Sequence, residues 1–239
     1  MSPDMTEPVR YELRGKTALV TLDDGKANAL SPAVIEGVNK AFDQAAAEAK
    51  AVVLTGRPSK FCAGFDLRVM MSGPDNAKAL VVSGGELFMR IYEHPQPVVM
   101  AVTGHALAGG ALLAATGDTR IGIPGGFKIG LNEVANGMPV PILAQELARD
   151  RLHPTELTAS VLQAKIYDPE GAVAAGWLDR LVDPEALEET ALEEAKRLSK
   201  LPLRAYALTK KSLRGRMIQY VRDTIDDNVE QLTGNLGKR

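Results

Sequence analysis

The chain has 239 residues, of which 45% are hydrophobic and 24% charged, with a formal net charge of −2. That length suits one large α/β domain, or one with an appended helical unit, and the composition is that of a globular chain rather than a disordered one. The charge offers no overall attraction to nucleic acid or to an anionic membrane, so an anion-binding site would have to be local.

The single cysteine, Cys62, excludes an intramolecular disulfide and a cysteine-based zinc site, and it fits a reducing compartment. The opening "MSPDMTEPVR" carries two acids and no apolar core, and the closing "NLGKR" is not a peroxisomal tripeptide. No apolar run approaches the roughly 20 residues needed to span a bilayer. A cytoplasmic protein without a membrane partner is expected.

The first element is a β-hairpin, "YELRGKTALVTL" (11–22), alternating on either side of Gly15-Lys16. Ser31 followed by Pro32 is a helix N-cap and first-turn pair, and the Ala-rich stretch continues as helix to Lys50. "AVVLTG" (51–56) and "PVVMAVTG" (97–104) are short apolar runs ending in Thr-Gly, which suit buried parallel strands. Between them lie a loop, "RPSKFCAGFDL", and a helix from Asn76 to about Glu93, stopped by "HPQP". Further on, "TRIGI" reads as a strand, Asp168-Pro169 starts a helix and "WLDRLV" returns a short strand. Pro184 opens a helix to about Ser199, and Pro202 begins a last helical region reaching beyond Val229. Strands and helices alternate up to Pro184 and helices alone follow, so an α/β core (1–199) with a C-terminal helical piece (200–239) is expected.

Both apolar strands run into a glycine-containing turn, "FCAGFDL" after the first and "HALAGGALL" after the second. Ligands bind in the crevice at the carboxyl ends of parallel strands, so the two turns can face one site. Glycine permits close backbone approach, and a helix opening at Gly109-Gly110 presents free N–H groups that suit a developing negative charge. Neither turn matches a phosphate-binding pattern. The bland alternative is that these glycines serve only tight turns and close packing.

These segments carry a resemblance. "GKANALS", "FCAGFDL" (61–67), "VTGHALAGGALLAATGDTRIG" (102–122), "KIGLNEVANGMPVP" (128–141) and the late "ALTKKSLRG" are similar, in order and spacing, to the crotonase (enoyl-CoA hydratase/isomerase) superfamily. The resemblance implies a spiral of repeated β-β-α units with C-terminal helices used in assembly, as a homotrimer or hexamer. It implies an acyl-CoA thioester substrate, with coenzyme A part of that substrate and no metal or separate cofactor. It also implies an oxyanion hole made by the backbone N–H groups of Phe65 and Gly109. Loss of one such donor costs roughly 3 kcal/mol of barrier.

Hydratases of the superfamily place one glutamate a turn into the glycine-opened helix and a second in the later loop. Here the first position is Leu112, and the second survives as Glu133 in "GLNEVANG". One acid/base group suits moving a double bond from the 3,4 to the 2,3 position, as in the mitochondrial-type Δ3,Δ2-enoyl-CoA isomerases that "HALAGGALLA" and "IGLNE" resemble. Glu133 would take the C2 proton and return it at C4, with a pKa raised by an apolar pocket. Its alternative is a helix-start carboxylate following Asn132 as a cap.

By the same resemblance Lys26, Ala27 and Ala29 line the coenzyme A cleft, with Ala63 and Leu67 beside them. Asp66 would meet polar groups of the ligand or else cap the next helix. Asp118 would order the turn into "TRIGI", His105 would be a packing or hydrogen-bonded histidine, and Cys62 a small buried side chain. Lys210, Lys211, Arg214 and Arg216 would meet the coenzyme A phosphates or form a solvated helix face. Two further readings are a weak hydratase or thioester hydrolase using Glu133 alone, and a non-catalytic acyl-CoA- or RNA-binding scaffold. Against RNA stand an aromatic content of 5% and the acids Asp223, Asp226, Asp227 and Glu230 that follow the basic cluster.

Overall fold

The computed structural model describes residues 7–233, so the first and last six residues of the two expected ranges lie outside the described residues. Strands β1 (Val9–Arg14) and β2 (Thr17–Leu22) form the expected hairpin, turned by Gly15 at φ +65°. Helix α1 (Pro32–Glu48) starts where expected, Ser31 Oγ accepting from the Val34 N–H, and stops two residues early because Ala49 is already extended.

The chain then winds as a repeat. In β3 (Ala51–Thr55) and β4 (Ser59–Cys62), β5 (Val98–Val102) and β6 (Gly104–Leu107), β7 (Thr119–Gly122) and β8 (Ile129–Gly130), each first strand enters one sheet and each second strand another. The larger sheet has the order β1-β2-β3-β5-β7-β9, where β9 is Arg180–Leu181, and the smaller the order β4-β6-β8. All pairings except β1 with β2 are parallel, so the expected α/β spiral of β-β-α units is present.

Helix α2 (Leu67–Met70) and α3 (Pro74–Tyr92) follow β4, and α4 (Gly109–Ala115) follows β6. After β8 come α5 (Ile142–Arg151), α6 (Leu157–Val161), α7 (Pro169–Ala175), α8 (Leu187–Leu198) and α9 (Leu203–Thr233). Asp168 caps α7 as expected, its carboxylate accepting from the Gly171 N–H.

Strands β3 and β5 are apolar on both sides because both faces of the large sheet are covered. Val52, Leu54, Val98 and Met100 join the cluster formed with α1 and α3, while Val53, Val99 and Ala101 face Leu187, Ala191, Ala195 and Leu198 of α8. Helix α9 packs on α3 and α5 of its own chain, and its Ile218, Val221, Ile225 and Val229 belong to the main core. A Leu-to-Ala change at a site as buried as Leu54 costs about 2–5 kcal/mol.

Two expectations need correction. The segment read as the loop "RPSKFCAGFDL" contains β4, and the Thr-Gly end of the 97–104 run passes directly into β6. These strands are only four residues long: Ser59 and Lys60 of β4 are exposed, and the alternation of Gly-His-Ala-Leu in β6 is too short to read from sequence.

Candidate active site

The first turn is zipped to the loop after β2. The Ala63 N–H donates to the Ala27 carbonyl (3.1 Å), Leu30 N–H to the Gly64 carbonyl (2.8 Å) and Asp66 N–H to the Leu30 carbonyl (3.1 Å). In this parallel bridge Leu30 engages the residues on either side of Phe65, so the N–H of Phe65 itself points away from Leu30. It has no hydrogen-bond acceptor among the described residues. The Phe65 ring lies over glycines: a Cβ on Gly84 of α3 would stand 2.2 Å from it, and one on Gly109 would stand 3.3 Å from it.

The second turn meets the first. Gly64, at φ +96°, approaches so closely that a Cβ there would lie 3.0 Å from the Leu107 carbonyl oxygen and 3.3 Å from the Gly109 nitrogen. Ala108 takes φ +50° and ψ −123°, a conformation that costs a non-glycine residue about 1–3 kcal/mol. Its own N–H is held by the Gly130 carbonyl and its carbonyl by the Ala111 and Leu112 N–H groups, so the surrounding bonds impose the bend. The next N–H, that of Gly109, also lacks an acceptor among the described residues. Two unpartnered main-chain donors thus sit on touching loops, free to hydrogen-bond a ligand atom.

A cavity of about 690 Å³ opens beside them, lined by Ala63, Phe65, Leu67, Ala108, Leu112, Glu133 and the apolar side chains of Met70, Ala77, Val81, Met138 and Leu143. This volume lies within the range of small-molecule sites. Glu133 is the single carboxylate in the lining, and among the described residues no lysine, arginine or histidine lines it either. The Glu133 main chain is fixed by its carbonyl, which accepts from the Asn136 (3.0 Å) and Met138 (2.9 Å) N–H groups. Its side chain does not cap the 3-10 turn Val134–Asn136 that follows, and Oε2 is buried with no hydrogen-bond partner. Burial pushes its pKa above the usual glutamate value, opposed more weakly by the nearby Asn132 and Glu133 N–H groups. Leu112, 2% exposed, presents hydrocarbon to the same cavity. A wider cleft of about 850 Å³ between Arg10, Arg57, Phe127 and Glu188 contains none of these groups.

Of the expected ligand-lining residues, Ala63 and Leu67 reach the cavity, whereas Lys26, Ala27 and Ala29 stand outside its lining. Asp66 is the N-cap of α2, accepting from Arg68 N–H (2.9 Å) and pairing with the Arg68 guanidinium (3.2 Å). Cys62 is fully buried, and burial raises its pKa to about 12, so it sits as the expected small buried side chain. His105 Nδ1 accepts from the Lys128 N–H, and the ring packs edge-on against Phe127.

Neither reading of the basic cluster fits Lys210 and Arg214. Both are buried and both contact Asp118, at 2.6 and 2.8 Å, so they lock α9 to the start of β7; Lys211 and Arg216 are exposed. Sequence reasoning also passed over Met70, Met138 and Leu143 in the cavity wall and the strained Ala108. The strain left no readable mark, because an alanine between Leu107 and Gly109 looks like an ordinary helix-start residue.

The sequence profile described as enoyl-CoA hydratase/isomerase matches residues 12–233. The chain belongs to the enoyl-CoA hydratase/isomerase family. Among curated relatives, it is 34% identical to a putative enoyl-CoA hydratase of Thermus thermophilus, over 78% of this chain and 74% of that one. It is 30% identical to human mitochondrial enoyl-CoA delta isomerase 1, over 69% and 56%. An enoyl-CoA hydratase/isomerase family protein from Pseudomonas syringae superposes with a TM-score of 0.90 at 42% identity, covering 98% of this chain and all of that one. Human mitochondrial Δ3-Δ2-enoyl-CoA isomerase superposes with a TM-score of 0.91 at 26% identity, over 97% and 92%. Both hydratases and isomerases of the family are thus similar to this chain.

Proposed function

We propose that this family member is a Δ3,Δ2-enoyl-CoA isomerase. The observation that carries the reading is the solitary Glu133 in an apolar cavity, with Leu112 where a second carboxylate would be required. The Phe65 and Gly109 N–H groups hold the thioester oxygen. Glu133 removes a proton from C2, the electron pair passes into the carbonyl, and the negative charge of the dienolate rests on those two donors. The protonated Glu133 then delivers its proton to C4, which restores the thioester and leaves the double bond between C2 and C3. Atoms and charge balance without an external oxidant, reductant or metal. The raised pKa serves both halves of the cycle, since the same group must accept and then donate.

The same reading assigns assembly as a trimer or hexamer to the helical piece, whose Leu208, Leu213 and Tyr220 are exposed. Light scattering of the purified protein tests that part.

Hydration is the second reading, favoured by the names of relatives such as the Thermus thermophilus protein. The two separate when the protein is given 3-enoyl-CoA and 2-enoyl-CoA in parallel. Conjugation of the first substrate should outpace hydration of the second, and the reverse order rejects the isomerase.

A further inference from the structure

We infer that Asn28 is a positioning residue for the oxyanion hole, acting through the loop it anchors and touching no substrate. Its role rests on the isomerase reading only in that the Phe65 N–H is taken to hold the thioester oxygen. Asn28 is fully buried and takes φ +54°, in the left-handed region that few residue types other than glycine and asparagine adopt readily.

The side chain makes four hydrogen bonds. Nδ2 donates to the carbonyls of Leu22 (2.9 Å), Lys60 (3.0 Å) and Phe61 (3.2 Å), and Oδ1 accepts from the Asp24 N–H (3.0 Å). Three carbonyls on one side can be satisfied only by the NH₂ end, which fixes the amide orientation. The bonds thereby clamp the end of β2, in the large sheet, to the end of β4, in the small one.

Immediately beyond this clamp the chain runs Cys62-Ala63-Gly64-Phe65. The residues flanking Asn28 hold that run through Ala27 to Ala63 and through Leu30 to Gly64 and Asp66. The direction of the Phe65 N–H is therefore set by the position of segment 27–30 relative to β4. The Asp24 carboxylate shapes that segment by accepting from the Lys26, Asn28 and Ala29 N–H groups, and the Asn28 amide ties it to the β4 carbonyls. The positive φ matters for the same reason: it turns the side chain inward while leaving the neighbouring main-chain groups facing residues 63–66. Asn28 does not line the cavity, so losing its amide would shift a donor without removing a ligand contact.

The test compares Asn28→Gly, which keeps the left-handed backbone and deletes the amide, with the unaltered protein. The readouts are the infrared carbonyl stretch of bound acyl-CoA, the affinity for that saturated ester, and steady-state kinetics with 3-enoyl-CoA. In the unaltered protein the stretch falls below its solution value. In the variant most of that lowering is lost and kcat drops roughly 10- to 100-fold, as for a donor moved by a fraction of an ångström to one ångström. KM and ester affinity change by less than about threefold, because the apolar wall that binds most of the ester is untouched and the displaced donor matters most where charge develops on the oxygen.

A folded variant with the full lowering and unchanged kcat overturns the assignment of Asn28 while leaving the oxyanion hole intact. Absence of the lowering in the unaltered protein overturns the hole and Asn28 together. Should the glycine variant not fold, Asn28→Ser retains one hydroxyl donor for the three carbonyls, and the same two outcomes decide.

Discussion

Gly110 lies against the Cys62 carbonyl so closely that a Cβ built on it would stand 2.0 Å from the oxygen. The contact joins the first turn of α4 to the end of β4, and so links the two loops that carry the Gly109 and Phe65 N–H groups. Replacing a helical glycine by alanine ordinarily stabilises by about 1 kcal/mol. Here the sign reverses, because the obstacle is main chain and cannot rotate away. Gly110→Ala should lose about 1–3 kcal/mol in denaturant unfolding, as overpacked cores do. Turnover should fall about 100-fold as the two donors separate. A variant more stable than the parent would show that the loops are free to part.

Glu133→Gln keeps the shape of the side chain and removes its proton chemistry. The expected loss in kcat is about 10²- to 10⁴-fold, with acyl-CoA affinity retained. In the proposed mechanism the deprotonated carboxylate starts the reaction, so kcat/KM should rise with pH through a pKa above the ordinary glutamate value, and the variant should lose that limb. The linkage sign follows from the raised pKa. The folded state holds this proton more tightly than the unfolded chain, so its stabilising contribution is complete below the unfolded pKa and lost as pH rises through the folded one. Glu133→Gln should therefore melt higher than the parent at neutral pH and gain nothing in acid. Melting curves at both pH values check the sign.

Leu112 lines the cavity that contains Glu133, at the position where the proposed mechanism needs no second carboxylate. Leu112→Glu should introduce hydration of 2-enoyl-CoA at least about tenfold above the parental background, since a second group can then orient water and handle its proton. Two carboxylates in one apolar cavity resist joint ionisation, so the limb assigned to Glu133 should move to higher pH. Isomerisation should decline in step. Unchanged hydration in a folded variant would mean that Leu112 is not what separates the two activities.

Much of the site could be read in the chain because its parts are short motifs with a chemical rationale. The structure brings Ala63, Phe65, Ala108, Leu112 and Glu133 to one cavity, so the segments those motifs singled out meet in space. The strands β4 and β6 could not be read, since each is a four-residue piece held by neighbours distant in sequence rather than by its own pattern. Asn28 was passed over for a similar reason. Its partners Lys60 and Phe61 lie more than thirty residues away, and a lone asparagine between alanines looks like a turn residue. The basic stretch near 210 misled because charge in a sequence carries no sign of burial, and here one acid from another turn of the spiral gathers two of its cations.

That acid is Asp118. One of its oxygens accepts from Lys210 Nζ and the Val98 N–H, the other from Arg214, and all three side chains are less than a tenth exposed. Lys210 also donates to the His94 and Gln96 carbonyls, and Arg214 to the Tyr92 carbonyl while stacking 4.0 Å over its ring. Asp118→Asn leaves two buried cations uncompensated and should cost about 3–5 kcal/mol in denaturant unfolding. Lys210→Met leaves one acid facing one cation and should cost less. Burial outweighs the pull of Asp118 and lowers the Lys210 pKa to about 8. Above that pH the folded protein has released a proton that the unfolded chain keeps until about 10.4, so stability rises with pH across the window. Without Asp118 the folded pKa falls further and the window widens downward. The deficit of Asp118→Asn should therefore shrink between pH 7 and pH 9. A deficit that stays constant over that range would place the lost energy in the Val98 hydrogen bond rather than in the stranded cations.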